Sequence, residues 1–310
     1  MTSSIRKADD YFHIPKEELN WRESYYFNFV NHDKTASGFT TIGILPNQKK
    51  AEYLLALFHN NKQTVYFKEI ATDNECDNRL SDKTLTYKLI EPLKKWEISF
   101  SGQDLELLIQ WEARFPSFDF GKGSGTSWIG HFEQSGIVRG EVKLRNARKI
   151  RIYGYGQRDK SWGQRNWNIE NWFALHAQFQ THAVGLRKDT VNGVPHVSGG
   201  RSTARKQTTV SSVDLEITYG EKENRHPIGA LTAIHYADGK TETIRSRLIS
   251  PRSFATFSRS FPKGTTELFE GMAVQESLAT EEKGTGLIEF LFTHMKSQRD
   301  LQPNDFIRPA

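Results

Sequence analysis

Hydrophobic and polar residues alternate with a period of two through most of the chain, the pattern of half-buried strands rather than of helices. Residues 64–70, 85–90, 96–100, 105–111, 138–144, 149–153, 213–219 and 231–236 all read this way, with aromatic and β-branched side chains on one face. Turn signals separate the runs. Asp238-Gly239 and Asn192-Gly193 read as two-residue hairpin loops in which both residues take positive φ, and Ser101–Asp104 is a third turn. Helical periodicity is confined to Pro15–Leu19, where proline takes the first helical position. Many short strands with turns every ten residues or so predict an all-β antiparallel sandwich or barrel.

A faint internal echo suggests how the strands divide. Trp21-Arg-Glu23-Ser-Tyr-Tyr26-Phe-Asn-Phe29 resembles Trp167-Asn-Ile-Glu170-Asn-Trp172-Phe-Ala-Leu175 when Glu23 is aligned with Glu170, nearly half the chain away. Each half has the length of one small closed barrel. The expected architecture is two antiparallel β-barrels in tandem, residues 1–165 and 166–310. A barrel of about eight to ten strands is just wide enough to hold one small apolar ligand, and the supply of Trp, Tyr and Phe suits such a lining.

Composition narrows the function classes. A chain of 310 residues buries enough surface to fold without disulfides or metals. The single cysteine, Cys76, excludes an intramolecular disulfide and any cysteine-based zinc cluster. The net charge of +5 is spread along the chain without a nucleic-acid-binding motif, so no nucleic-acid partner is expected. No apolar run approaches the roughly 18 residues of a membrane span, and residues 1–10 lack an apolar signal core, so a cytoplasmic location is the default expectation. Hydrolase-elbow, phosphate-loop and dinucleotide motifs are missing; Gly121–Gly125 lacks their spacing and reads as a loop over a barrel mouth. His131 and Glu133 would share one face of a strand, but no third residue at metal-ligand spacing accompanies them, and neither metal nor cofactor is expected.

The densest chemistry lies in residues 153–167. Glycines 154, 156 and 163 punctuate a strand that carries Arg158, Asp159, Lys160, Ser161, Trp162 and Arg165. Two readings fit a carboxylate set among arginines and a tryptophan. It is either a structural ion pair with Arg158 or Arg165, or an acid at a barrel mouth whose pKa responds to an apolar pocket.

This run resembles the Arg-Asp-His-Ser-Trp-Gly signature of bacterial proteins related to hydroxyneurosporene synthase (carotenoid 1,2-hydratase) and of the AttH-like proteins. Residues 21–27, 91–100 and 131–140 fit the same superfamily. The resemblance implies tandem lipocalin-like (calycin-type) barrels. It also implies acid chemistry on an isoprenoid double bond: hydration, dehydration, isomerisation or cyclisation. Asp159 stands at the position of the proton donor, with Glu133 as a second acid and His131 or His176 as a base. Trp162, Trp172, Tyr26 and Trp21 are candidate cation-stabilising rings, and Arg158 and Arg165 are candidate substrate or ion-pair partners. Lys160 stands where relatives commonly show histidine, and Asn166 where they often show aspartate. The partner implied is a hydrophobic small molecule, without membrane insertion. The alternative is a non-catalytic carrier of a lipid or other hydrophobic metabolite.

Overall fold

A computed structural model of the chain describes residues 5–72, 80–121, 128–145, 149–165, 169–221, 226–261 and 264–295. Cys76, the glycine-rich run beyond Gly121, and residues 166–168 with Asn166 and Trp167 lie outside them. Regular structure is almost entirely antiparallel strand. The first sheet contains β1 (Trp21–Asn31), β2 (Ala36–Leu45), β3 (Lys50–His59), β4 (Lys62–Ala71), β5 (Leu85–Glu91), β6 (Lys95–Ser101), β7 (Leu105–Ala113), β8 (Phe118–Asp119), β9 (Gly130–Leu144) and β10 (Ile150–Gln164). The second contains β11 (Asn171–Gln178), β12 (Ala183–Val191), β13 (Val194–Ser202), β14 (Gln207–Tyr219), β15 (Pro227–Tyr236), β16 (Thr241–Leu248), β17 (Phe254–Phe261), β18 (Gly264–Ser277) and β19 (Lys283–Met295).

The two sheets close to different extents. In the second, the order 16-15-14-13-12-11-19-18 is completed by pairing of β16 with β18, which makes an eight-stranded barrel with β17 hanging from β18. The first runs 4-3-2-1-10-9-7-6-5 and curls without joining its ends among the described residues. A tight loop fills the gap. The Asp82 carboxylate accepts the backbone N–H groups of Thr84 and Leu85 at 2.9 and 2.7 Å and the Tyr66 hydroxyl of β4. These bonds hold the loop between β4 and β5 in place of a ladder. The first unit is therefore a curled half-barrel rather than the closed barrel expected.

Both concave interiors are filled by their own side chains. Tyr25, Phe27, Phe29, Tyr53, Trp96 and Trp111 lead the first core; Phe173, Leu175, Phe179 and Phe290 lead the second. A third apolar cluster lies between the sheets, where Tyr26, Phe39 and Phe58 meet Ala255, Met272 and Leu287. The docked layer between the units, rather than the interior of a barrel, is where polar groups converge.

Local differences have simple causes. Residues 15–19 form no helix: five residues are too few to offset nucleation, and Ile14 and Leu19 are 91% and 66% exposed, leaving no buried face. The short 3-10 turn falls earlier, at Lys7–Asp10. Asn192 and Gly193 take φ of 51° and 73°, as a two-residue hairpin needs. At Asp238-Gly239 only the glycine does, with φ 81°, because the loop is longer and Tyr236 N–H reaches the Lys240 carbonyl. β1 and β11 are both first strands that pair with the last strand of their sheet. Aligning Glu23 with Glu170 nevertheless sets Phe27, a core residue, against Ala174, which faces away from its core. A one-residue slip inverts every side chain, so the echo is out of phase as structure. No helix among the described residues is long and apolar enough to cross a membrane.

Candidate functional site between the sheets

Strand alternation sorts the Arg158–Trp162 run into two groups, because successive side chains point to opposite faces. Arg158 stands opposite Phe27 and Lys160 opposite Tyr25, both core residues, so these side chains enter the interior of the first sheet. Arg158 is 1% exposed and forks onto Asp10 at 2.5 and 3.2 Å, with Gln134 Oε1 at 2.9 and 3.1 Å. Lys160 is ion-paired with Glu23, its Nζ 4.3 Å over the Tyr25 ring; burial pulls its pKa down and Glu23 opposes this. Trp162 stacks on His13 at 3.9 Å, and Trp21 is buried on the Glu23 side of β1. Arg158, Trp162 and Trp21 therefore stand apart from Asp159. Lys160 projects from the other side of the strand, so no direct proton exchange with Asp159 is open to it.

Asp159 faces the barrel. It lies between Tyr26 on β1 and Glu133 on β9, and the next row on the same face is Ser24, Ser161 and His131. Opposite, the outer face of the barrel presents the row Met272, Leu287, His176 and Gly185 and the row Glu270, Glu289, Ala174 and Arg187. Polar bonds cross the layer. Asn28 Nδ2 donates to His176 Nδ1 at 2.9 Å, because its Oδ1 already accepts the Gln157 N–H at 3.0 Å. His176 Nε2 lies 3.4 Å from Glu133 Oε1. Gln178 Nε2 donates to Gln157 Oε1 at 2.6 Å, and the Gln157 amide donates to Glu133 Oε2.

Gly185 makes this close approach possible, since a Cβ there would overlap Glu133 Oε2 and Gln157 Nε2. Gly185→Val should therefore destabilise the protein by about 1–3 kcal/mol, as overpacking does. Urea unfolding gives the measurement, and an unchanged midpoint would show that the two faces do not meet here.

The environment gives each ionisable group a different character. Asp159 lies deep in the molecule yet keeps some accessible surface. Burial, then Glu133, pushes its pKa up to about 7 against the pull of His176 and Arg165. Among the described residues none is salt-bridged to it. Glu270 is held well above the carboxylate range by burial and by its hydrogen-bonded neighbour Glu289, whose Oε1 accepts Trp172 Nε1–H at 2.5 Å. The two histidines diverge. Burial lowers His176, but Glu133, Asp159 and Glu289 outweigh it and raise its pKa. Burial, with Arg187 and Arg165, drives His131 well below its ordinary value. His131 stacks on Phe120 at 4.7 Å, and neither ring nitrogen has a hydrogen-bond partner; Nε2 is 3.6 Å from Glu133 Oε1. The buried Tyr26 hydroxyl is likewise unpartnered.

The structure thus gathers Asp159, Glu133, His131, His176, Tyr26, Trp172 and Arg165 in one layer. Sequence reading missed Glu270, Glu289, Arg187, Asn28, Gln157 and Gln178. A signal was present for the two glutamates, each a single charge inside a strongly apolar strand, at 268–274 and 287–292. No group of three or more His, Cys, Asp or Glu among the described residues stands where it can hold a metal ion.

Comparison with known proteins identifies the family. The model described as "Domain of unknown function (DUF7064)" matches residues 6–293, and the chain belongs to that family. Comparison with curated protein sequences gives no match. Among solved structures, an AttH candidate from Nitrosomonas europaea superposes with a TM-score of 0.65 at 12% identity, over 87% of this chain and 92% of the other. CghA gives 0.65 at 11%, over 90% of each chain, and its complex with Sch210972 gives 0.64. Kievitone hydratase from Nectria haematococca gives 0.62 at 10%, over 94% and 95%. At these identities the likeness shows the fold, which is the tandem lipocalin-like arrangement that the signature around Asp159 implied.

Proposed function

We propose that this DUF7064 family member is an acid catalyst for an apolar, isoprenoid-type alkene held between its two sheets, acting as a hydratase or dehydratase, an isomerase or a cyclase. The observation that carries the reading is Asp159: a deep carboxyl with accessible surface, brought up to about 7 by burial and Glu133. Near neutrality about half of such groups hold a proton, the condition for a general acid. The fold-level likeness to a protein named as a hydratase agrees with this class of chemistry.

The chemistry follows from the groups present. The Asp159 O–H bond breaks as its proton forms a C–H bond with the alkene, whose π electrons leave a tertiary carbocation and an Asp159 carboxylate. The Tyr26 and Trp172 rings on the two facing sheets offer π faces to that cation. In hydration, water adds to the cation and its surplus proton passes to a base. His131 suits that role, being held neutral with both ring nitrogens unpartnered. Loss of a carbon-bound proton instead gives isomerisation, and attack by a second double bond gives cyclisation. Glu133 and His176 fix the electrostatics around the acid.

A carrier without chemistry is the second reading. Arg165 works against the rise at Asp159, and a carboxylate kept ionised by it would be a fixed counter-charge. One experiment separates the two: incubate the protein with prenyl and terpenoid alkenes and tertiary alcohols in deuterated, ¹⁸O-labelled water, and follow both labels by mass spectrometry. Deuterium with ¹⁸O exchange is the expected result for a hydratase or dehydratase; deuterium alone marks isomerisation or cyclisation. Ligand retained with neither label would overturn catalysis in favour of carriage.

A further inference from the structure

Two arginines flank Asp159 on a footing that the acid chemistry does not use. Ser24 and Ser161 are buried cross-strand partners on the face shared with Asp159, two residues further along β1 and β10. Arg22 Nε donates to Ser24 Oγ at 2.8 Å, and Arg165 Nη2 donates to Ser161 Oγ at 3.0 Å. The two guanidiniums are thus anchored side by side next to the acid. Gly43 provides the seat for Arg22, because a Cβ there would overlap the guanidinium. From the barrel side, Arg187 reaches the same region between two indoles, its guanidinium 4.7 Å from the Trp128 ring and 4.1 Å from the Trp172 ring.

These side chains are held in place by known partners, Glu52 for Arg22 and Asp189 for Arg187, each at 2.5 Å. They still crowd one another. Burial, followed by the charges of Arg22 and Arg187, brings Arg165 down to about 9 despite the opposing pull of Asp159 and Glu289. Converging guanidiniums lower one another's affinity for a proton and raise the affinity of the place for an anion. Their planar N–H forks match the oxygens of carboxylate and phosphate groups.

We propose that Arg22, Arg165 and Arg187 form an anion subsite, and that the ligand of the Asp159 site carries a carboxylate or phosphate that docks there and sets its double bond against the acid. The proposal rests on the functional reading above only for the role of Asp159; the anion would bind with or without turnover. Two residues along a strand span roughly 7 Å, so the ligand's anionic group and its reactive double bond lie a few carbon atoms apart. An acidic isoprenoid engages both ends of the site, the acid with its double bond and the guanidinium N–H forks with its anionic group.

The test is calorimetric binding to the full-length protein with three matched probes: a monoterpenoid carboxylate, the primary alcohol of the same skeleton, and its monophosphate ester. At least one of the two anions should bind about ten- to a hundredfold more tightly than the alcohol, the gain expected of charge-assisted hydrogen bonds. Which anion is favoured identifies the group. Arg165→Gln should abolish the preference and Arg165→Lys should retain part of it, with Arg22→Gln as the substitute where Arg165→Gln does not fold. Equal binding of all three probes, no binding of any, or a preference that survives in the folded glutamine variant would overturn the subsite. Failure of the acid reading is distinguishable, because it would appear as missing isotope exchange with the anion preference intact, in the wild type and in Asp159→Asn alike.

Discussion

Asp159→Asn should lower turnover by roughly 10²- to 10⁴-fold, the range that a positioned general acid supplies, while making the protein more stable at alkaline pH. The two effects have one cause. The carboxyl has an ordinary value of 3.8 and is pushed up to about 7 in the folded chain, by burial first and Glu133 second. Between those values the folded protein keeps a proton that the unfolded chain releases. Its contribution to stability is therefore fully present below about pH 3.8 and is lost as pH rises through about 7. The whole difference corresponds to roughly 4 kcal/mol, reduced by solvent screening of a half-buried group. Asparagine has no proton to lose, so the melting temperature of the variant should overtake that of the wild type above neutrality. Wild-type activity should fall about tenfold per pH unit on the same alkaline side, because the protonated acid is the active form. Glu133 on β9, His176 on β11, Arg165 after β10, Glu270 on β18 and Glu289 on β19 face Asp159, and their charges set the field in which it titrates. Melting curves at pH 5 and pH 8, beside the isotope assay, measure both effects. Unchanged turnover would remove Asp159 from the chemistry, and destabilisation at pH 8 would make it a structural ion instead.

The largest loss of stability should come from the opposite face of the same strand. Asp10→Ala strips the carboxylate from Arg158, a guanidinium 1% exposed whose remaining hydrogen-bonding partner is Gln134 Oε1. It also deprives the Leu93 N–H of its acceptor at 2.5 Å. A buried charge left without its partner costs about 3–5 kcal/mol, a large share of the roughly 5–15 kcal/mol by which domains are stable. The double variant Asp10→Leu, Arg158→Met should recover most of the loss, since it removes the charge along with its partner. Denaturant unfolding of the three proteins decides the matter. A loss below about 1 kcal/mol in Asp10→Ala would mean that water reaches Arg158.

These two neighbours, Arg158 and Asp159, show how far the sequence could be read. Period-two patterning located the strands because each sheet buries one face, and the turn at Asn192-Gly193 was legible because its backbone needs particular residues. The density of charged residues at 158–165 drew attention to Asp159, but density along a strand does not say which residues share a face. Alternation does, and it divides that run into an interior ion-pair group and an interface group. Tyr26, His131, Glu133 and His176 come together with Asp159 through strand register and sheet docking. Register is not written locally in any of their segments. Glu289 was visible as a lone charge in an apolar strand, but its place beside Trp172 was not, since that depends on how β19 pairs with β11 across the closed barrel. The gap between β4 and β5 was equally hidden, because it depends on Asp82 bonds that stand in for a ladder.

In both sheets the first strand pairs with a strand made near the end: β1 with β10, β11 with β19. Synthesis from the N-terminus therefore presents Tyr26 long before Asp159 can lie beside it, and neither sheet is complete until its last strand has emerged. The first unit can complete its own ladder once residue 164 is free of the ribosome, with its barrel-facing layer still bare. Leu287 and Glu289, on the final strand, then supply both the apolar cover for that layer and the last carboxyl of the site. A nascent chain interrupted before that strand would hold Asp159 without its enclosure. It would also expose Phe39 and Phe58 to any chaperone that samples unfinished proteins.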